Sequence, residues 1–149
     1  MVEEWLQRPH VARWWGDPKE AIAAVRKHPA PTSALILVDC TPIGYLSWQV
    51  PTQKELADAG LADLPANLVD IDIMIGEPAA LGQGLGPEAL SQLLSRLHDE
   101  GVQIVGIATA DSNQRARRAF EKAGFRLYRT FVESGEQVRY LTKVLDAAA

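Results

Sequence analysis

Residues 68–97, LVDIDIMIGEPAALGQGLGPEALSQLLSRL, carry the pattern that decides the fold of this chain. In 69–75 isoleucines occupy every second position, which is the pattern of a strand and places Asp70 and Asp72 on one face. From Pro87 onward, leucines recur with the spacing of one apolar helix face. The stretch therefore predicts a strand, a glycine-rich loop and a helix with Pro87 as its first residue.

The loop between strand and helix, Leu81-Gly82-Gln83-Gly84-Leu85-Gly86, contains three glycines. Glycine lets a backbone turn tightly and approach a ligand, and the start of a helix offers unpaired N–H groups and a positive dipole end. These features predict a site for an anion, most simply a phosphate. The loop lacks the Gly-Lys-Ser/Thr of a P-loop and the G-x-G-x-x-G of dinucleotide folds, so neither is predicted. A tight connection that binds no ligand is the alternative.

The rest of the chain predicts further helices and strands around this stretch. Residues 3–28 predict two short helices broken at Pro9 and Pro18, and residues 51–66 predict a surface helix or an acidic wall beside the strand. The remaining patterns are strands at 34–38 and 43–50 with a turn at 39–42, a strand at 103–109, a helix at 113–123 capped by Asp111-Ser112 and ended by Gly124, and a hairpin of 125–132 and 137–145. This order predicts an α/β fold in a single domain, residues 1–149.

The composition argues against several classes of protein. A net charge of −4 is unlike a nucleic-acid-binding protein, which presents a basic face. Cys40 is the single cysteine, which excludes an internal disulfide, and its apolar neighbours predict a buried thiol. Glu3 and Glu4 do not suit a signal peptide, and no apolar run has the length of a membrane helix, so we expect a cytoplasmic protein. The histidines lack metal-ligand spacing, so no metal is expected.

Two blocks of the sequence resemble the GNAT superfamily of N-acetyltransferases. Gly84 and Gly86 match the small positions of its acetyl-CoA loop, Gln/Arg-x-x-Gly-x-Gly/Ala, whereas Leu81 replaces the usual Gln or Arg. Residues 113–125, NQRARRAFEKAGF, are similar to the family's Asn-x-x-Ala-x-x-x-Tyr-Glu-Lys-x-Gly-Phe, with Phe120 in place of the tyrosine. The resemblance implies a mixed, mostly antiparallel central sheet flanked by helices, and acetyl-CoA as cosubstrate.

A narrower resemblance points to the aminoglycoside 6'-N-acetyltransferase branch. It lies in residues 4–16, EWLQRPHVARWWG, in residues 42–45, PIGY, and in Ile71-Asp72. The resemblance implies acetylation of the 6'-amine of an aminoglycoside, a small cationic amine, by direct attack in a ternary complex. Siderophore-type acyltransferases share parts of the first block, so a siderophore precursor or a polyamine is an alternative acceptor. A non-catalytic CoA-binding module is the alternative outside enzymes. The oligomeric state stays open between monomer and homodimer.

The resemblance also implies which residues contact the cofactor. The strand end would pair with the pantetheine arm, the loop would bind the pyrophosphate, and the helix after the next strand would add one contact. These contacts are expected from Met74, Ile75, Gly76, Leu81, Gly82, Gln83, Gly84, Leu85, Gly86 and Asn113. A backbone N–H near Ile75 would stabilise the oxyanion that forms during acyl transfer.

The substrate site is expected to combine carboxylates with tryptophans. Asp72 would anchor the substrate ammonium and take its proton, and Asp70 would add a second contact. Trp14, Trp15 and Trp48 would line the site. The alternative for Trp14 and Trp15 is that, together with Trp5, they pack the N-terminal helices on the sheet. Neighbouring residues on a helix point in different directions, so Trp14 and Trp15 cannot both face the core.

Two departures from the family pattern concern catalysis and substrate charge. Phe120 removes the tyrosine that protonates the leaving thiolate in many members, which leaves Tyr128 or solvent for that step. Ala108 stands where the aminoglycoside branch often has an aspartate, so fewer carboxylates are available to bind a polycation. A basic helix face could be solvated or could lie near the cofactor's 3'-phosphate; its members are Arg115, Arg117, Arg118 and Lys122.

Overall fold

The computed structural model describes residues 1–28 and 32–145; residues 29–31 and 146–149 lie outside the described ranges. Six helices and six strands follow one another in the described chain. They are α1 (Val2–Leu6), α2 (Pro9–Trp15), α3 (Pro18–Lys27), β1 (Ser33–Val38), β2 (Thr41–Gln49), α4 (Gln53–Asp58), β3 (Val69–Ile75), α5 (Leu85–Asp99), β4 (Ile104–Ala110), α6 (Gln114–Lys122), β5 (Arg126–Glu133) and β6 (Glu136–Val144), with a short 3-10 helix at Pro78–Ala80.

The strands form one mixed sheet in the order β1-β2-β3-β4-β6-β5. β1 pairs antiparallel with β2, and β6 pairs antiparallel with both β4 and β5. The parallel pair joins Val69–Ile71 of β3 to Val105–Ile107 of β4. The α/β fold class and the mostly antiparallel sheet predicted from the sequence are therefore confirmed. No helix within the described ranges is long and apolar enough to cross a membrane.

Residue contacts divide the chain into two compact units. Unit 1 comprises residues 1–47 and 72–86, and its core contains Trp5, Leu6, Val11, Ala21, Tyr45 and Met74. Unit 2 comprises residues 48–71 and 87–149, and one of its apolar clusters contains Leu56, Leu61, Leu64, Leu68 and Tyr140. The prediction of a single domain over residues 1–149 stays a prediction.

The N-terminal region differs from the sequence prediction in its number of helices. Three helices occur instead of two, because Pro9 and Pro18 each begin a new helix. A proline at the first helical position loses no hydrogen bond there, so each proline both ends one helix and starts the next. The predicted cap of α3 is confirmed, since the Asp17 side chain accepts from Lys19 N at 3.1 Å.

Two turns also correct the sequence prediction. The β1–β2 turn consists of Asp39 and Cys40 alone, both with positive φ, so the turn is shorter than expected. Cys40 is exposed at this tip and is not the buried thiol that its neighbours predicted. At α6 the cap is Asn113, whose Oδ1 accepts from Ala116 N at 3.2 Å, instead of the predicted Asp111-Ser112.

Candidate active site

Trp5 of α1 and Arg8, which precedes α2, bind Gly76 and Glu77, the two residues directly after β3. Trp5 is 1 % exposed, and a Cβ atom at Gly76 would overlap its indole ring. The indole N–H donates to Oε1 of Glu77 at 2.9 Å. Arg8 donates to Gly76 O at 3.0 Å and pairs with the Glu77 carboxylate at 3.2 Å. The indole N–H and Arg8 lower the pKa of Glu77, so this carboxylate remains ionised at neutral pH.

His10 and β2 hold the backbone on both sides of the Ile75–Gly76 peptide. His10 Nε2 lies 3.1 Å from Ile75 O, and because a carbonyl oxygen only accepts, Nε2 must carry the hydrogen. Ile43 O accepts from the N–H groups of Gly76 at 2.7 Å and of Glu77 at 3.2 Å. Ile75 is the last residue of β3, directly before this doubly bonded segment, and the resemblance implies that a backbone N–H near it contacts the oxyanion.

The loop after β3 presents a run of unpaired amides. Gly82 and Gly84 have φ values of +76° and +75°, a conformation that other residues adopt only with strain. Within the part of the chain that the structure describes, the N–H groups of residues 82–86 donate no hydrogen bond. The last two of these residues are already the first two of α5, whose dipole places positive charge at this end. The loop therefore has the backbone of an anion site.

Gly86 has no structural requirement to be glycine. Its φ is not positive, and a Cβ atom built on it would meet no heavy atom within 4 Å. Glycine in a helix costs about 0.5–1 kcal/mol relative to alanine. The missing side chain leaves open space at Gly86, one of the residues whose amides are unpaired.

The other loop residues lie as follows. Leu81 caps the 3-10 helix through its N–H, which donates to Pro78 O at 3.2 Å. The Gln83 side chain is tied back to Ala79 O at 2.7 Å. The helix begins at Leu85, two residues before the predicted start at Pro87, because a proline within the first turn still costs no helical hydrogen bond.

Asp72 is a carboxylate with water on one side and protein on the others. It is exposed, yet enough of the chain surrounds it that burial raises the pKa of its carboxyl, and the charge of His28 acts weakly in the opposite direction. His28 Nε2 lies 2.8 Å from Thr32 O and 2.9 Å from its Oγ1. Among the described residues, Asp72 has no hydrogen-bond partner. A carboxylate with free oxygens and a raised pKa holds a proton more readily than an ordinary aspartate.

Two predicted substrate residues, Asp70 and Trp48, belong to unit 2 and already have partners there. Asp70 is half-buried and accepts a hydrogen bond from Tyr140 Oη at 2.8 Å. Trp48 is 6 % exposed, and the Arg96 guanidinium lies 5.2 Å from the centre of its ring. Little of either side chain is open to a ligand.

The remaining predicted site residues differ in their surroundings. Trp15 packs against the core of unit 1, whereas Trp14 is half-buried and stacks with the Arg13 guanidinium 4.5 Å from its ring centre. Only one of the two tryptophans packs on the core, as their adjacent positions predicted. In unit 2, Asn113 uses Oδ1 to cap α6, which leaves its amide N–H groups as the donors a ligand could meet.

The acidic side chains of residues 51–66 are paired within unit 2. Glu55 accepts from Thr52 N at 3.1 Å, Asp58 pairs with Lys54 at 3.1 Å, and Asp63 pairs with Arg129 at 2.8 Å. The surface helix is confirmed as α4. Asp58 and Asp63 pair with cations, whereas Glu55 is bound to a backbone N–H and keeps its charge. The alternative, an acidic wall beside the strand, stays a prediction.

Tyr128, the predicted substitute for the missing tyrosine, is engaged elsewhere. Its hydroxyl donates to Asp63 Oδ2 at 2.5 Å, and this bond raises the pKa of Tyr128. The residue at the usual tyrosine position, Phe120, is buried against Phe125. No group of three or more His, Cys, Asp or Glu side chains suited to a metal occurs in residues 1–28 and 32–145.

Sequence reasoning did not identify Arg8, His10 and His28 as residues around this site. Arg8 and His10 lie in the block that carries the family resemblance, but each contacts residues more than 60 positions away. The sequence motif marked Arg8 and His10 as part of the family pattern but gave no indication of the residues that they contact.

Comparison with known proteins agrees with this architecture. Residues 1–132 match the model of the acetyltransferase (GNAT) domain family. The aminoglycoside N(6')-acetyltransferases type 1 of Klebsiella pneumoniae and Serratia marcescens are each 27 % identical to this chain, covering 99 % of it and 78 % of the relative.

Solved structures share the fold. AAC(6')-Ib in complex with paromomycin and acetyl-CoA has a TM-score of 0.77 and 24 % identity, covering 97 % of this chain and 86 % of that one. The same enzyme with coenzyme A and kanamycin has a TM-score of 0.76 at 23 % identity, covering 97 % and 87 %. The family match over residues 1–132 agrees with the fold and with the glycine loop before α5. The chain therefore belongs to the GNAT family of acetyl-CoA-dependent N-acetyltransferases.

Proposed function

We propose that this protein transfers the acetyl group of acetyl-CoA to the 6'-amine of an aminoglycoside by direct attack in a ternary complex. The observation that carries the proposal is the run of unpaired amides at residues 82–86, which opens α5 and presents the positive partial charge that binds an anion such as the pyrophosphate of a CoA thioester. The two relatives that are 27 % identical are aminoglycoside N(6')-acetyltransferases.

The backbone around β3 would hold the thioester. The amides of residues 82–86 bind the diphosphate, and Met74, Ile75 and Gly76 lie next to the pantetheine arm. The N–H of Ile75, at the end of β3, is the donor we expect to stabilise the oxyanion. Leu81 cannot form the polar contact of a Gln or Arg, so binding of the diphosphate relies on the backbone.

Asp72 would receive the proton that the amine must lose. The ammonium first gives one proton to Asp72, directly or through a water. The neutral amine nitrogen then forms a bond to the acetyl carbon, the carbon–sulfur bond breaks, and the sulfur leaves as a thiolate. The nitrogen loses its second proton to solvent, and the thiolate takes a proton from solvent. The raised pKa of this carboxyl brings it closer to the operating pH than that of an ordinary aspartate.

A different small amine is the second candidate acceptor, and one observation favours it. Asp70 accepts a hydrogen bond from Tyr140, so Asp72 alone offers free carboxylate oxygens on this strand within the described chain. One carboxylate suits an acceptor with a single ammonium group, such as a siderophore precursor, better than the several ammonium groups of an aminoglycoside.

Thiol release with a panel of amines tests the acceptor. Neomycin and paromomycin form a matched pair, since one carries an amine and the other a hydroxyl at the 6' position. We expect turnover with neomycin, kanamycin and tobramycin and none with paromomycin. Turnover with spermidine or a hydroxylamino-lysine alone would favour the second acceptor. CoA binding by calorimetry without thiol release from any amine would indicate a binding module.

An Asp72→Asn variant tests the proton acceptor. Loss of a general base lowers kcat by about 100-fold or more, with the Kd for CoA unchanged. Asp99→Asn is the matched control, because Asp99 is exposed at the end of α5 and its substitution removes the same charge. Near-normal turnover in Asp72→Asn would remove Asp72 from this role.

A further inference from the structure

We propose that Arg8 and His10 are positioning residues for acyl transfer, which hold the two peptide units between Ile75 and Glu77 in a fixed orientation; this inference rests on the proposed function. Neither side chain is expected to touch the substrate. Both bind carbonyl oxygens of the segment that leads from β3 into the glycine loop.

The first peptide unit is bonded at both of its ends. Its oxygen, Ile75 O, lies 3.1 Å from His10 Nε2, and its N–H, on Gly76, donates to Ile43 O at 2.7 Å. A peptide plane bonded at both ends cannot rotate without breaking a hydrogen bond. His10 therefore helps to fix the position of Ile75, and through it the preceding Met74–Ile75 peptide, whose N–H is the proposed oxyanion donor.

The second peptide unit repeats the arrangement. Its oxygen, Gly76 O, accepts from Arg8 Nη1 at 3.0 Å, and its N–H, on Glu77, donates to the same Ile43 O at 3.2 Å. Arg8 is itself held by the Glu77 carboxylate at 3.2 Å. A charged donor makes a stronger hydrogen bond than a neutral one, so this unit is more rigid than a free strand end.

This arrangement does more than attach the helices to the sheet. The burial of Trp5 against Gly76 and the Trp5–Glu77 hydrogen bond already fasten α1 to this segment. Arg8 and His10 each add a donor to a backbone oxygen of this segment, which the contacts of Trp5 do not supply. Rigidity at this point matters because a displacement of about 1 Å in a reacting group can lower the rate of catalysis about 100-fold.

Steady-state kinetics of His10→Leu and His10→Gln test the inference. Leucine removes the donor, whereas the glutamine Nε2 can donate to Ile75 O from a similar distance. We expect His10→Leu to lower kcat by about tenfold to 100-fold, with the KM for the amine within about twofold, and His10→Gln to recover most of the loss. His98→Leu is the matched control, because the His98 ring is exposed on α5, where it lies 3.9 Å from the neighbouring Asp99 carboxylate.

Amide hydrogen exchange gives a readout that needs no substrate. Loss of the His10 bond is expected to speed exchange of the Gly76 amide in His10→Leu and to leave it unchanged in His10→Gln and His98→Leu. If His10→Leu does not fold, as judged by circular dichroism, Arg8→Leu and Arg8→Lys take the place of the pair, since lysine keeps a charged donor for Gly76 O.

The outcomes separate this inference from the proposed function. If the wild type binds no CoA and releases no thiol, the proposed function fails and the inference fails with it. If the wild type is active and the donor-free variants keep its kcat per folded molecule, the inference alone is overturned. A lower kcat that the donor-bearing variants restore supports it.

Discussion

Replacement of Gly86 by alanine should raise stability and weaken CoA binding at the same time. Gly86 is the second residue of α5, its φ is not positive, and its Cβ position is free of heavy atoms to 4 Å. Alanine therefore fits the folded chain without strain. Its methyl group would occupy the space directly beside the amides of residues 82–86.

The two expected effects have different magnitudes. Glycine to alanine at a compatible position stabilises by about 0.4–1 kcal/mol, mainly because the unfolded chain loses freedom. At this chain length that corresponds to a rise in Tm of roughly 1–4 °C. If the methyl group prevents one amide–phosphate hydrogen bond, the loss is about 1.5–3 kcal/mol. That loss corresponds to roughly tenfold to 150-fold weaker CoA binding.

Thermal denaturation without ligand and calorimetry with CoA measure the two effects in one preparation. Ser95→Ala is the matched control, since Ser95 is exposed in the middle of α5 and far along the helix from the loop. The control should raise Tm slightly and leave the Kd for CoA unchanged. A Gly86→Ala variant with higher Tm and wild-type CoA affinity would refute the proposed amide site. A lower Tm would refute the conclusion that alanine fits at position 86 without strain.

Three further predictions concern stability. Burial raises the pKa of Asp72 in the folded state. Between its unfolded and folded pKa values the folded state binds more protons than the unfolded state, so ionised Asp72 destabilises the fold as pH rises. Asp72→Asn should therefore have a higher Tm than wild type at neutral pH, and an unchanged or lower Tm would contradict this. Gly106→Ala would force a Cβ atom into the ring of Tyr140 and should cost about 1–3 kcal/mol in urea denaturation, so a wild-type midpoint would argue against this packing. Arg129 lowers the pKa of Asp63 in the folded state. The pair therefore stabilises the fold above the unfolded pKa of the carboxyl, and this stabilisation is lost as pH falls through the folded pKa. The difference in urea midpoint between wild type and Arg129→Leu should be present at pH about 7 and shrink only in strong acid, well below pH about 4.

Local sequence pattern determined the central part of the fold. The bounds of β3 follow from alternation alone, because every second residue of a strand faces the same side. The glycine loop and α5 follow from backbone requirements that do not depend on distant residues, namely positive φ at Gly82 and Gly84 and an apolar stripe of leucines. The family resemblance adds the cosubstrate, because it rests on these same local blocks.

Only the tertiary structure decided which polar groups of the site remain available. Asp70 and Asp72 are equivalent in the sequence pattern, yet Tyr140, 70 positions along the chain, binds Asp70 and leaves Asp72 without a hydrogen-bond partner in the described chain. His10 and Arg8 reach peptide oxygens 65 and 68 positions away. Hydrogen bonds between residues so far apart depend on how the helices pack on the sheet, and that packing has no local signal in the sequence.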